Sequence, residues 1–395
     1  MGAAFDRIYD RSGSNAAKLE EMELRFGRGD LIPLWVADMD FPSPEAVTTA
    51  IAERASQGIF GYTSRPDSYY EAMIQWYGSR HGWQIDKSWP IHCPAVVTAL
   101  SILVEEMSVP GEGILIQSPV YNPFYDVIRG RGRRVVENHL IRDGMDYTID
   151  YEDLDRKLAE VKLMILCNPH NPTGRVWRRE ELMRIGTLCL KHGVRVIADE
   201  IHADFVYAPH RYIPFASLSE PIRDITVTCL SATKTFNLAG LQASFVIFPL
   251  AEERARFDQH LGVLDIRRNN CFSLVAVEAA YRHGEPWLRD LMAYLAGNIR
   301  FVRDFLSREI PEIIPNDPEG TYLIWLDCSA LEMDDAELSR FMVQEAGVAL
   351  GAGIVYGPGG SRFMRMNVAC ARTVLEKALD QIKTAVGRRR ARTAL

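Results

Sequence analysis

Nowhere in its 395 residues does the chain run to the roughly 18 consecutive apolar residues that would span a bilayer. Its opening, MGAAFDRIYDR, carries charges where a signal peptide would place its apolar stretch, so neither membrane insertion nor export is expected. A myristoylation signal is missing as well, because Asp6 stands where a Ser or Thr is required. There is no basic excess. The 45 Lys and Arg face 52 Asp and Glu, and the net charge of -7 leaves no field to draw nucleic acid. The seven cysteines (93, 167, 189, 229, 271, 328 and 370) are odd in number and scattered singly, which argues against a disulfide framework and against a zinc site. A reducing cytoplasm is the compartment they imply. The chain also lacks a repeat of fixed period and a low-complexity linker, so the two or three domains expected from its length are interleaved.

What is present alternates between strand and helix. Short apolar runs rich in β-branched residues recur at 113–117 (GILIQ), 134–137 (RVVE), 161–167 (VKLMILC), 194–198 (VRVIA), 225–230 (ITVTCL) and 243–248 (ASFVIF). Amphipathic stretches separate several of them. In 178–192, Leu182, Ile185, Leu188 and Cys189 recur at helical spacing, and Gly193 supplies the stop. This alternation predicts an α/β fold with a mostly parallel sheet between helices, in which ligands bind beyond the carboxyl ends of the strands. From about residue 286 a long helical stretch (287–308), a Pro-rich break and an apolar strand (TYLIWLD) predict a smaller α/β domain. The expected division is a large domain over 45–285 and a small one from 1–44 with 286–395. The basic end, GRRRARTAL, reads as a solvated or frayed terminus.

Three strands end in reactive residue types. After VKLMILC comes the turn-forming segment from Asn168 to Gly174, after VRVIA come Asp199, Glu200 and His202, and after ITVTCL come Ser231, Thr233 and Lys234. A doubly wound sheet brings three such loops to one ligand. A lysine can join an aldehyde, a carboxylate can hold a ring nitrogen protonated, and a side-chain amide can donate to a phenolic oxygen. Pyridoxal 5'-phosphate (PLP) has those needs. Hydroxyls of Ser231 and Thr233, and the backbone of a helix starting near Val96 and Val97, would suit its phosphate. Taken singly, each feature has a plainer reading: a surface lysine, a helix cap, a turn, a packed histidine.

Together, Asn168-Pro-His-Asn-Pro-Thr-Gly174, Ala198-Asp-Glu-Ile-His202 and the run SATKTFNLAGL from Ser231 to Leu241 resemble the class I/II aminotransferase group of fold type I PLP enzymes. More narrowly, WVADMDF at 35–41, SPVYNPFY at 118–125 and RMNVA at 365–369 resemble the MalY/PatB family of cysteine-S-conjugate, or cystathionine, β-lyases. The resemblance runs from about residue 5 to about 385.

The resemblance implies a PLP-dependent transferase-like fold and a role for each matching position. Lys234 would anchor the cofactor as a Schiff base and act as the catalytic base. Asp199 would pair with the pyridine nitrogen, Asn171 would reach the phenolic oxygen, with His202 nearby, and Tyr121 would stack on the ring. Val96, Val97, Ser231 and Thr233 would hold the phosphate. Tyr62 would reach the phosphate of a neighbouring subunit, which implies a homodimer with shared sites. Arg365 would clamp the substrate carboxylate, with Arg362 as second choice, and Ala37, Tyr121 and Asn171 would also border the substrate. Three positions depart from the general aminotransferase pattern: His202 replaces a tyrosine, Gln242 a phosphate-binding arginine and Ala95 a glycine. The implied reaction is α,β-elimination from cystathionine or another S-substituted L-cysteine. An aminotransferase, or a PLP-containing regulatory protein, would share the same cofactor residues.

Overall fold

The six apolar runs, joined by one further strand, form a single sheet. The structure, a computed structural model, describes residues 5–393. The strands are β1 (Pro90–Cys93), β2 (Gly113–Ser118), β3 (Arg134–His139), β4 (Leu163–Cys167), β5 (Arg195–Asp199), β6 (Thr226–Leu230) and β7 (Ser244–Ile247), in the order β1-β7-β6-β5-β4-β2-β3. Only β7 runs against its neighbours. Helices cover both faces, so β4 and β6 are buried along their whole length, which is why they read as continuous apolar runs and not as an alternation. Strand β1 goes unannounced in the sequence, because PIHC is short and half polar.

The register decides where the chemistry sits. Cys167 pairs with Asp199, and Asp199 with Cys229, so the carboxyl ends of β4, β5 and β6 lie side by side. Near them, α1 (Val96–Glu106) starts just after β1, while α2 (Arg179–His192) returns the chain between β4 and β5 and ends at Gly193, in the left-handed region at φ 64.

A second, antiparallel sheet is built around β8 (Leu323–Asp327) and β9 (Phe363–Asn367), flanked by Ile314–Pro315 and Gly351–Ala352. The N-terminal part of the chain is stitched to this region, since Ile32–Pro33 pairs with Val348–Ala349. Residues 34–41 then cross to the large sheet as a strap. Asn367 Nδ2 donates to the carbonyls of Val36 and Asp38, both at 2.6 Å, and Asn237 Nδ2 donates to those of Met39 and Phe41 at 3.0 and 2.9 Å. Buried Lys18 and half-buried Arg11 neutralise Asp38 and Asp40 beneath it.

The basic tail is solvated, as expected, with Arg388, Arg390 and Arg392 exposed, but it is ordered and not frayed: up to residue 393 it forms the last turns of a helix, Arg372–Thr393, with Arg390 bidentate on Glu312 and Arg388 donating to the Glu345 carbonyl. Acidic residues and free carbonyls of the packed neighbours hold it, which a charge run alone does not disclose. Residues 394 and 395 of that tail lie outside the described residues. Among the described residues no helix is long and apolar enough to cross a membrane.

Replacing Asn367 with Ala removes both strap hydrogen bonds and the acceptor for the Ala369 amide. Urea unfolding should show a loss of about 1–3 kcal/mol, the cost of leaving buried polar groups unmatched; a loss well below about 1 kcal/mol would show that the strap is held by other contacts.

Candidate active site

Lys234 sits on a single helical turn, α3 (Ala232–Thr235), directly after β6. Ser231 caps it: its Oγ accepts from the Thr233 amide at 3.0 Å and donates to the Ala243 carbonyl at 2.7 Å. The amine of Lys234 donates to the Ala37 carbonyl at 2.6 Å, and the Tyr322 hydroxyl donates to the same oxygen at 2.8 Å. Burial and then the nearby Arg365 guanidinium lower the amine to about 8, against the opposite pull of Asp38 and Asp199. A useful fraction of it is therefore unprotonated at mildly alkaline pH.

The amine faces a cavity of about 180 Å³. Asp199, Asn171, Tyr121, His202 and Thr233 share its wall with Lys234, so the loops after β4, β5 and β6 do meet at one place. Asp199 is buried and accepts the Ile201 amide at 3.2 Å, but among the described residues no cationic side chain pairs with it, and burial raises it to about 6. His202 is buried too. Desolvation and then the positive charges of Lys234 and Arg365 lower it to about 3, so it is a neutral imidazole, and its Nδ1 has no partner among the described residues. Glu200, next to Asp199, turns the other way. It binds the Tyr212 hydroxyl and the Phe215 amide and so belongs to the packing and not to the cavity.

At the other end of the cavity α1 begins. Val96 and Val97 line the wall, and Ala95 offers no side chain to cap the first amides of the helix, which leaves them directed at a ligand. Ala95 has φ -150, ordinary extended backbone, so its replacement of the family glycine brings no strain. Thr233 and Gln242 complete this end. Ser231 is not on the wall; it stands behind Thr233, with the two hydroxyls 2.7 Å apart.

Arg365 is buried in the middle of β9. It donates to Asn171 Oδ1 at 3.1 Å and to the Trp35 carbonyl at 2.9 Å, while its Nε has no partner among the described residues. The first of these bonds orients Asn171, whose amide nitrogen has no hydrogen-bond partner among the described residues and can meet a ligand. Arg362 lies outside the strand, exposed, and its amide is tied to Asp335, so between the two arginines the geometry favours Arg365. Tyr121 lies on the cavity wall, edge to face with Phe124. Tyr62 does not reach the cavity of its own chain; it is 97% exposed, with Arg268 against its ring. Sequence reasoning misses Tyr322, which fixes the Ala37 carbonyl, and Cys167, which lines the cavity. Nothing in TYLIWLD singles out that tyrosine from its apolar neighbours.

These groups fit PLP. A buried carboxylate without a cation suits a protonated ring nitrogen, an amine lowered toward neutrality suits an aldehyde, and an uncapped helix start with a hydroxyl suits a phosphate. Comparison with known proteins agrees. The family model for class I and II aminotransferases matches residues 29–382. The chain is 45% identical over 384 residues to the cystathionine β-lyase PatB of Bacillus subtilis, covering 97% of this chain and 99% of PatB. It is 34% identical to the protein MalY of Escherichia coli, covering 97% and 98%. Among solved structures, the PLP-bound C–S lyase of Staphylococcus hominis superposes with a TM-score of 0.91 at 35% identity, over 96% of this chain and 97% of that one. With its sheet order, its three converging loops and near-complete alignment to these relatives, the chain belongs to the class I and II aminotransferase family, in the MalY/PatB group.

Proposed function

We propose that the protein is a PLP-dependent carbon–sulfur β-lyase that converts S-substituted L-cysteines, cystathionine among them, and water into a thiol, pyruvate and ammonia. The observation that carries this reading is the place where the lowered amine of Lys234, the uncompensated Asp199 and the half-paired Arg365 converge. The likeness to PatB and to the staphylococcal C–S lyase favours elimination over transamination.

When bound, PLP supplies an electron sink for negative charge developing at the substrate's Cα. The chain's own residues do the rest. Arg365, whose Nε has no partner among the described residues and whose donors are planar, holds the α-carboxylate. That places Cα near Lys234, whose unprotonated amine removes the proton while the Ala37 carbonyl fixes its direction. Asp199 would stay ionised opposite the ring nitrogen. Asn171, oriented by Arg365, would donate to the phenolic oxygen; neutral His202 would add a second polar contact, and Tyr121 would lie against the ring. Val96, Val97 and Thr233 would receive the phosphate, with Ser231 beside Thr233.

The site lies between the two proposed domains, 45–285 on one side and 1–44 with 286–395 on the other. The protein acts as a homodimer with shared sites, in which Tyr62 reaches the phosphate of the second copy. Its exposure supports this, as does that of Ile59 and Phe60 at 77% and 58% on the same loop. A cytoplasmic location is supported by seven cysteines that are all unpaired.

Purified, PLP-loaded protein given L-cystathionine and no keto acid should release pyruvate continuously, alongside free homocysteine. Stoichiometric conversion of the cofactor to its amine form, with no pyruvate from any S-substituted cysteine, would instead assign an aminotransferase. Subunits carrying Lys234→Ala mixed with subunits carrying Tyr62→Ala should regain part of the activity each lacks alone, and no regain counts against the shared site.

Lys234 also has a predictable effect on stability. Its folded value of about 8 lies below the ordinary 10.5, so the buried amine destabilises the cofactor-free fold. That cost is full below pH 8 and fades between pH 8 and 10.5, where the unfolded chain still binds the proton and the folded chain has lost it. Lys234→Met should therefore be inactive yet melt higher than the wild type in cofactor-free form at about pH 7, with the gap closing as the pH rises toward the unfolded value. An equal or lower melting temperature at neutral pH would contradict the lowered value.

A further inference from the structure

The phosphate end of the cofactor cavity is short of positive charge. A phosphate monoester carries about -1.5 to -2 at pH 7, and a helix start such as that at Val96 offers about +0.5. Thr233 and Gln242, the polar side chains at this end, are neutral, and among the described residues Lys234 is the only lysine or arginine on the cavity wall. Its amine serves the aldehyde and points at the Ala37 carbonyl, so it does not balance the phosphate. One chain by itself therefore leaves roughly one negative charge of its ligand unanswered.

The loop that bears Tyr62 holds a cation with nothing to balance it. Tyr62 is 97% exposed, yet the residues after it are fastened to the run 267–269: Thr63 Oγ1 donates to the Asn269 carbonyl at 2.6 Å, and Arg65 Nη1 donates to the Arg267 carbonyl at 2.5 Å and to Asn269 Oδ1 at 3.2 Å. Asn269 is anchored in turn. It is buried, with its Nδ2 within 3.1–3.2 Å of the Tyr69 hydroxyl, His92 Nδ1 and Ser273 Oγ. Arg268, in the middle of that run, donates to the Thr63 carbonyl at 3.1 Å, and its guanidinium lies 5.7 Å from the centre of the Tyr62 ring. Among the described residues no carboxylate pairs with it, whereas its neighbour Arg267 bridges Asp258 at 3.2 Å. Arg65 is turned onto the loop carbonyls and the Tyr70 ring. The fold thus presents Tyr62 and Arg268 to solvent as one ordered pair.

We propose that Arg268 crosses the homodimer together with Tyr62 and neutralises the cofactor phosphate of the second copy. The proposal rests on the reading that PLP is bound at a shared site, and it names the residue that supplies the charge there. A tyrosine hydroxyl offers one hydrogen bond and no charge, so Tyr62 alone leaves the imbalance in place, while a planar fork of charged donors matches a phosphate.

The test titrates PLP, and pyridoxal, which lacks the phosphate, into cofactor-free protein and follows the absorbance of the ring joined to Lys234. Arg268→Ala should weaken PLP about tenfold or more, the loss of a hydrogen bond to a charged group, and leave pyridoxal unchanged. The ratio of the two affinities is the readout, because a disturbed interface weakens both ligands alike; a fall in that ratio of less than about tenfold overturns the proposal. Placement across the dimer is read from mixed dimers of Arg268→Ala and Lys234→Ala subunits, coexpressed with different tags and purified through both. Their one cavity with a lysine belongs to the Arg268→Ala subunit and receives the arginine of the other copy. It should take PLP as tightly as the wild type does, and weaker binding there overturns the proposal. Wild-type protein that sediments as a monomer fails the shared-site reading, and wild-type protein that gives no absorbance with PLP fails the cofactor reading. Either result takes the proposal with it, and both differ from a dimer that binds PLP without need of Arg268.

Discussion

The site depends on keeping one lysine amine out of water without letting it become an inert cation. Burial alone lowers Lys234, Arg365 lowers it further, and Asp38 and Asp199 pull in the opposite direction. The result near 8 is a compromise among charges that all have other work to do. Asp199 shows the complementary compromise: burial without a paired cation raises it, so the fold by itself holds an electrostatic imbalance that a cationic ring relieves. A fold that carries such a deficit binds its cofactor more tightly at the expense of its own stability.

The strap at 34–41 converts that local balance into substrate recognition. Successive carbonyls are divided between the two sides of the molecule: Trp35 accepts from Arg365, Val36 and Asp38 from Asn367, Ala37 from Lys234 and Tyr322, Met39 and Phe41 from Asn237. A backbone with so many fixed acceptors has little freedom to shift. Moving the strap therefore moves the carboxylate clamp and the base together, which keeps the distance between substrate carboxylate and Cα matched to the reach of the amine.

Much of this is legible in the sequence, and the limits have physical causes. The strands announce themselves because a sheet covered on both faces demands unbroken apolar runs, and the three loops are legible because turn formers and reactive residues cluster where strands end. Lys234, Asp199 and Asn171 are found that way, and the structure brings them to one wall. The hydroxyl of Ser231 suggests the phosphate, and a hydroxyl one residue before a helix is equally a cap, a bond it also makes. Tyr322 and Asn367 act through backbone carbonyls distant in sequence, and no local pattern encodes such a contact. The order of the solvated basic tail is not legible because its partners, Glu312 and Glu345, are distant in sequence.

The helix that carries Lys234 is too short to be stable by itself, since a single turn fixes its dihedrals for almost no internal hydrogen bonding. Its position must come from outside, and three unrelated contacts supply it. Ser231 caps its start. Thr235 donates to Asp204 at 2.7 Å, a buried carboxylate that Trp76 and His81 also bind and whose hydrogen bonds and charges keep it ionised despite burial. Asn237, in the left-handed region at φ 58, ties the chain just past the helix to the strap. Because these contacts reach different elements, loss of one leaves the turn hinged and not melted. The amine would then sweep an arc instead of holding a point, and proton transfer, which tolerates misplacement poorly, would suffer before the fold did.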